Sequence, residues 1–243
     1  MLERQRGTAG AFHARPFPEP ARTAVWWFDV ERPAVVLGSR QGTDLLDRTA
    51  CVGLEVARRR SGGGIVLLVP GDVLWVDVLV PADAGWTDDV RASMCRLGEV
   101  WVAALAAVGV TEGVTVHRGG VEGGAWAERV CFAGIGPGEV LLDGRKLVGI
   151  SQRRTRAGAR FQCAVHHRYD PARTVSLLAA PLPSGSLPGV ATVPARLAGP
   201  LVAALVAALG TAGDVAGDVA GDMDGETRGV VGSRRVDGGG KWG

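Results

Sequence analysis

Short apolar runs, each cut off by proline, glycine or aspartate, fill most of this chain. Val25 to Val30 and Ala34 to Gly38 are β-type runs split by Arg32-Pro33, which predicts a hairpin or two adjacent strands. Ile65 to Val69 and Val73 to Val80 flank Pro70-Gly71-Asp72, a turn signal, and together read as a hairpin. Side chains alternate across a strand, so Trp75 and Asp77 fall on one face and Val76 and Val78 on the other. Glu139 to Leu142 and Lys146 to Ser151 flank Asp143-Gly144, a two-residue hairpin signal, and Phe161 to His167 is a further strand after a basic connection, Arg153 to Arg160.

Helical spacing is clearest from Thr87 to Val108. Val90, Met94, Leu97, Trp101, Ala104 and Val108 share one face there, Thr87 can cap the start, and Gly109 can close the end. Thr43 to Cys51 could form a short helix and Pro200 to Leu209 a last one. Leu54 to Ala57 leads into a run of arginines and glycines. Residues 111 to 138 are glycine-rich and aperiodic, and a loop of that length in a compact domain is usually functional or mobile. Residues 1–22 carry arginine and proline without a period and read as an irregular arm. From Thr211 onward Gly-Asp-Val-Ala repeats, a low-complexity composition that cannot bury a core and predicts disorder. The reading is one domain over residues 23–209 and a Gly/Asp-rich tail over 210–243.

Composition narrows the function classes. Hydrophobic content of 47% is that of a globular protein, and a net charge of +2 gives no steer toward nucleic acid or a membrane. No apolar run approaches a membrane span and the N-terminus is no signal peptide, so a cytoplasmic location is expected. Cys51, Cys95, Cys131 and Cys163 form no Cys-x-x-Cys pair and read as free thiols. Cys163, His166 and His167 show no further ligand beside them, and aspartates at a four-residue period in the tail do not match the nonapeptide calcium repeat, so no metal site is expected. Arginine is used almost everywhere in place of lysine. The only lysines are Lys146 and Lys241, and Lys241 lies in the tail, so Lys146 is a candidate for a position that needs an ammonium group; chance under an arginine-rich composition accounts for it equally well.

Chemistry could gather at three places. Arg58-Arg59-Arg60-Ser61-Gly62-Gly63-Gly64 offers positive charge and a backbone that can cradle a carboxylate or phosphate; an ordinary glycine turn beside solvated arginines fits equally well. It is neither a P-loop nor a dinucleotide fingerprint. Lys146, followed by Gly149 and Ser151, could meet a developing negative charge. Cys131, in the long loop, could be a thiolate nucleophile or a small buried residue.

Arg-Arg-Ser-Gly-Gly-Gly at 59–64, a strand, and then Gly-Arg-Lys-Leu-Val-Gly-Ile-Ser-Gln-Arg at 144–153 resemble the lipoate–protein ligase and octanoyltransferase family. The resemblance spans about residues 25–180 and implies an α+β fold of mixed β-sheets flanked by helices, the biotin/lipoate ligase catalytic domain related to class II aminoacyl-tRNA synthetases. It places Arg59, Ser61, Gly62, Gly63 and Gly64 around an acyl or acyl-adenylate pocket and gives Lys146 the role of the essential lysine. Cys131-Phe132 and Glu139 resemble the cysteine-dependent branch, in which a thioester carries the octanoyl or lipoyl group and no cofactor is required. The other branch is ATP-dependent, uses magnesium and passes through an acyl-adenylate. Either way the implied partners are lipoyl-domain proteins, such as the E2 subunit of a 2-oxoacid dehydrogenase or the glycine cleavage H protein, with acyl carrier protein as a possible donor.

Three departures accompany the resemblance. The arm Ala11 to Pro20 lacks the Asn-x-Ala-x-Asp/Glu signature of the family's first helix. Leu68-Val69-Pro70-Gly71-Asp72 replaces a histidine-containing turn, and Phe161-Gln162-Cys163-Ala164 stands where a His-Gly pair is expected. A non-catalytic relative that binds a small acid or acyl-adenylate is therefore an alternative expectation, with generic nucleotide binding by the arginine–glycine loop a third.

Overall fold

The computed structural model describes residues 1–86 and 89–221. Thr87 and Asp88, expected to open the long helix, and residues 222–243 of the tail, with Lys241, lie outside the described residues. In chain order the elements are β1 (Leu2–Gly7), α1 (Ala9–Ala14), β2 (Ala24–Val30), β3 (Ala34–Leu37), β4 (Glu55–Arg58), β5 (Val66–Leu68) and β6 (Val73–Pro81). There follow α2 (Val90–Ala107), β7 (Val114–Val116), α3 (Ala125–Arg129), β8 (Val140–Leu142), β9 (Arg145–Thr155), β10 (Gly158–His166), α4 (Pro171–Ser176) and α5 (Ala198–Gly221).

The strands form two sheets. The larger has the order β1-β2-β6-β10-β9-β8-β7, and the smaller is β4-β3-β5. Both are mixed, since β1 runs parallel to β2 and β4 parallel to β3 while the other pairs are antiparallel. Helices α2 and α5 cover one face of the large sheet. Val76, Val78, Phe161, Val165 and Val148 meet Leu97, Trp101, Leu201 and Leu205 there in the main core. The small sheet and α1 cover the opposite face, where Phe12, Phe28, Val36, Leu68 and Trp75 pack together. Beyond the small sheet lies a third apolar layer of Val35, Leu37, Ile65, Leu67, Trp126 and Val130. This is the expected α+β architecture of mixed sheets flanked by helices.

Two pairings differ from expectation. Neither β2–β3 nor β5–β6 is a hairpin, because each turn carries the chain from one sheet to the other. Ala34, Val35, Val36 and Leu37 are all buried, so β3 needs apolar cover on both faces and obtains it as the centre of the small sheet. Turn residues signal a reversal but do not decide whether the flanking strands pair. The third signal does give a hairpin: Asp143 and Gly144, with φ of 50° and 72°, join β8 to β9.

The N-terminal stretch is irregular only over residues 15–22. Leu2–Gly7 is a polar edge strand with half of its positions exposed, which leaves little apolar alternation to read. The following helix α1 is capped by Thr8, whose side chain accepts from the amide of Ala11. The presumed basic connection Arg153–Arg160 is mostly strand. Thr43 to Leu45 forms a single 3-10 turn rather than a helix reaching Cys51. Asp89 rather than Thr87 caps α2, and Val90 is exposed while Leu105 is buried. The last helix begins at Ala198 and runs into the repeats as far as Gly221, beyond the expected limit at Leu209.

Arg160 ties α1 to the large sheet. Its Nε donates to Asp77 Oδ2 at 2.6 Å, and its two terminal nitrogens donate to the carbonyls of Arg15 and Phe12, each at 2.7 Å. Both side chains are buried. Removing one member of such a pair strands the other charge. Arg160→Ala is therefore expected to destabilise the protein by about 3–5 kcal/mol in urea unfolding. The apolar double variant Asp77→Leu/Arg160→Met should lose less than the single one.

Candidate functional site

A cavity open to solvent lies between the two sheets, with about 460 Å³ of space counted to its mouth. Its walls follow from strand alternation. The small sheet contributes Val36, Val66 and Leu68, the residues that point away from the third layer. The large sheet contributes two rows across neighbouring strands. One row is Trp75, Ala164 and Gly149, and the next is Gln162 and Ser151, with the buried Asp77 beside Gln162 in the register. Cys131 and Phe132 enter from the turn that follows α3, and His13 enters from α1.

Lys146 reaches this region because β9 is irregular. Leu141 pairs with Lys146 but Val140 pairs with Val148, so β9 carries one extra residue, Leu147. A bulge of this kind shifts the alternation by one. Leu147 and Val148 are both fully buried, and Lys146 falls in phase with Gly149 and Ser151 instead of with Val148 and Ile150. A Cβ on Gly149 would lie 3.1 Å from Lys146 Cε and 3.0 Å from the Phe132 ring, so the lysine stem lies across Gly149. The missing side chain is what makes room for it.

The ammonium of Lys146 makes three polar contacts. It pairs with Glu139 Oε1 at 2.6 Å and donates to the carbonyls of Cys131 and Gly134 at 3.0 and 3.1 Å. The Glu139 carboxylate also accepts from the amides of Ile150 and Gly136. Burial works against the ammonium, but the neighbouring Cys131 side chain and the Glu139 carboxylate outweigh it, and the Lys146 pKa is held above its ordinary value.

The arginine–glycine loop is folded onto itself. Arg59 is buried and donates to the carbonyls of Gly62 at 2.8 Å, Gly64 at 2.7 Å and Val36 at 3.4 Å. Among the described residues no carboxylate pairs with it. Its three glycines have different reasons to be glycine. Gly63 has φ of +95°, which favours glycine, and a Cβ on it would sit 3.9 Å from Cys131 Sγ. Gly64 packs so close to the chain at Val130 that a Cβ would approach its backbone nitrogen to 2.4 Å. Gly62 faces open space. Among the described residues the amides of all three donate to no protein acceptor. Ser61 Oγ donates to Ser151 Oγ at 3.0 Å and lies 3.3 Å from Gln162 Oε1.

The structure thus brings together Arg59, Ser61, Gly63, Cys131, Lys146, Gly149 and Ser151. Cys163, His166 and His167 do not form a unit. Cys163 packs in the main core, where burial pushes its thiol up. His166 stacks edge-on against Phe132, and burial lowers its pKa to about 4. His167 shares a hydrogen bond with the Val193 carbonyl. Sequence reasoning missed His13 and Gln162 on the cavity wall. It also missed Gln41, which accepts from the amide of Gly38 and donates to the carbonyls of Glu128 and Arg129, tying the turn after β3 to the end of α3 just before Cys131. No spacing or composition marks these residues; the sheet register brings in Gln162, the seat of α1 brings in His13, and the turn after β3 brings in Gln41.

Two outcomes follow from this geometry. Glu139→Gln leaves the buried ammonium without its counter-charge and should cost about 3–5 kcal/mol in chemical denaturation. In the wild type, the stability that Lys146 gains from its partners is complete below its ordinary pKa of 10.5 and is lost as pH rises through the higher folded value. Lys146→Met should remove that alkaline limb from a stability–pH curve. Gly64→Ala, with a methyl forced against the backbone of Val130, should cost about 1–3 kcal/mol by the same measurement.

The comparisons with known proteins agree on this framework. The family described as the lipoyl protein ligase A/B catalytic domain matches residues 14–199. A putative lipoate protein ligase from T. acidophilum, solved with bound lipoic acid, superposes with a TM-score of 0.64 at 16% identity, covering 87% of this chain and 84% of that one. A lipoate-protein ligase A bound with ATP gives 0.62 at 15% identity, with 87% and 84% covered. A bipartite lipoate protein ligase from Thermoplasma acidophilum, described with its E2 lipoyl domain, gives 0.58 at 14%, again with 87% and 84% covered. Among curated proteins none matches this chain by sequence. None of the described helices is long and apolar enough to cross a membrane. With a family match over residues 14–199 and the same fold in these neighbours, this chain belongs to the lipoyl protein ligase A/B catalytic domain family.

Proposed function

We propose that this protein transfers an octanoyl or lipoyl group to a lysine of a lipoyl-domain acceptor through a thioester on Cys131. The observation that carries this reading is that Cys131, on the wall of the apolar cavity, meets Gly63 of the glycine loop on one side and the Lys146 ammonium at its own carbonyl. The Cys131 thiolate attacks the carbonyl carbon of an octanoyl thioester on acyl carrier protein. The carbon–sulfur bond to the carrier breaks, and the carrier thiol leaves with the proton that Cys131 gave up. The acceptor amine then attacks the new thioester, the Cys131 sulfur leaves, and the proton lost by the amine returns to it. The free amides of Gly62–Gly64 suit the oxyanion of both steps, with the positive field of Lys146 behind the Cys131 carbonyl. Lipoyl-domain proteins are the proposed acceptors, in keeping with the E2 lipoyl domain that accompanies one of the similar ligases.

A second reading rests on Arg59, whose buried guanidinium has carbonyl partners but, among the described residues, no carboxylate. Such a group suits an acyl-phosphate, and one structural neighbour holds ATP. On that reading ATP and magnesium activate a free acid, Arg59 and Lys146 hold the adenylate, and Cys131 is a packing residue. A non-catalytic relative that only binds an acid or its adenylate is the remaining alternative.

Intact mass spectrometry separates these readings. With octanoyl-acyl carrier protein, the thioester reading expects one octanoyl mass gain that hydroxylamine removes and that Cys131→Ser lacks. Acyl-adenylate formed from lipoate, ATP and magnesium, unchanged in Cys131→Ser, overturns it in favour of the ligase. If neither product forms, the non-catalytic reading stands. On either catalytic reading Lys146→Ala should lower the rate of acyl transfer about 100-fold or more.

A further inference from the structure

The floor of the cavity changes size in one direction. The row that crosses β9, β10 and β6 runs Gly149, Ala164, Trp75, from no side chain through a methyl group to an indole. Phe132 lies against Gly149, and Lys146, whose stem crosses Gly149, donates to the carbonyl of Cys131. The reacting groups therefore stand at the empty end of the row, and the indole stands at the other.

That indole is held in place. Its Nε1 donates to the buried Asp77 carboxylate at 2.8 Å. Its ring packs against three others, with centroids 4.6 Å from His13, 5.1 Å from Phe28 and 5.7 Å from Phe12. Phe12 and Phe28 belong to the core behind it, and Val36 and Leu68 of the small sheet join Trp75 in the same cluster. The two layers thus meet at the indole, which makes it an end wall.

Trp75 pairs with Ala164 and Ala164 with Gly149, so wall and reacting end are two strand spacings apart. That is about 10 Å, the reach of an extended chain of eight carbons. Burial of apolar surface alone favours a longer chain, since each added methylene leaves water. A rigid wall reverses that order, because a chain that overruns it must displace packed rings or fold its end back into solvent.

We propose that Trp75 sets the length of the acyl group: the cavity takes a medium chain and turns away longer ones at the indole. This rests on the acyl-cavity reading above, and it holds for the thioester and the adenylate routes alike. Ala164 is the second point of control, because a larger side chain there shortens the groove by one strand spacing.

The test is isothermal titration of the full chain with hexanoic, octanoic and dodecanoic acids, with folding checked by circular dichroism. The wild type should bind octanoic acid about ten-fold or more tightly than dodecanoic acid, against the order that apolar surface alone dictates. Trp75→Leu should bind dodecanoic acid about ten-fold more tightly than the wild type does. Ala164→Leu should turn the preference from octanoic to hexanoic acid. If octanoic acid binds but dodecanoic acid binds the wild type as well or better, or Trp75→Leu leaves their ratio unchanged, the acyl cavity stands and the assignment of Trp75 is overturned. If none of the acids binds the wild type, the acyl-cavity reading falls and the length assignment falls with it. If Trp75→Leu does not fold, the order of the acids in the wild type still decides.

Discussion

A buried ammonium group is the constraint around which this structure is arranged. Lys146 is 4% exposed, and a charge so far from water must be met by acceptors on every side. Glu139 supplies the counter-charge, and the carbonyls of Cys131 and Gly134 supply the rest. These partners come from the segment between α3 and β8. The ammonium therefore does two things: it carries charge into the apolar interior, and it holds the Cys131 turn against β9. Glu139 in turn is held by the amides of Gly136 and Ile150, so that neither oxygen of the carboxylate is idle. A network satisfied this fully resists rearrangement, and it fixes where the cysteine stands.

The cavity is a consequence of layering rather than of any one loop. The large sheet is covered by helices on one face, and its other face needs apolar cover that α1 and the three-stranded sheet provide. Small residues on the large sheet, Gly149 and Ala164, keep the two layers from closing fully where Cys131 and Phe132 enter. The arginine–glycine loop caps that gap, with Arg59 spending its hydrogen bonds on the loop's own carbonyls. The positive charge is held in place beforehand, so a ligand that meets it need not organise it.

Much of this was legible in the chain, and the gaps have physical causes. The long helix, the Asp143-Gly144 hairpin and the pairing of a glycine loop with a rare lysine all leave local marks, in period, turn chemistry and composition. The two missing hairpins left marks that were true but insufficient, because a turn encodes a change of direction and not a choice of sheet. The N-terminal strand is polar by virtue of its edge position, so its pattern resembled an unstructured arm. His13, Gln41 and Gln162 were invisible for a different reason. They are ordinary residues far apart in sequence: the register between β6, β10 and β9 places Gln162, the seat of α1 places His13, and the turn after β3 places Gln41.

The extra residue at Leu147 has a meaning beyond local geometry. Along a strand the choice of face is a matter of counting, odd or even, and the bulge is a single unpaired count. Substitutions at Lys146, Gly149 or Ser151 can alter the site by degrees, whereas the count has only two values. The side of the sheet on which the ammonium emerges is thus stored as the length of one short segment, and residue 147 acts through its presence more than through its identity.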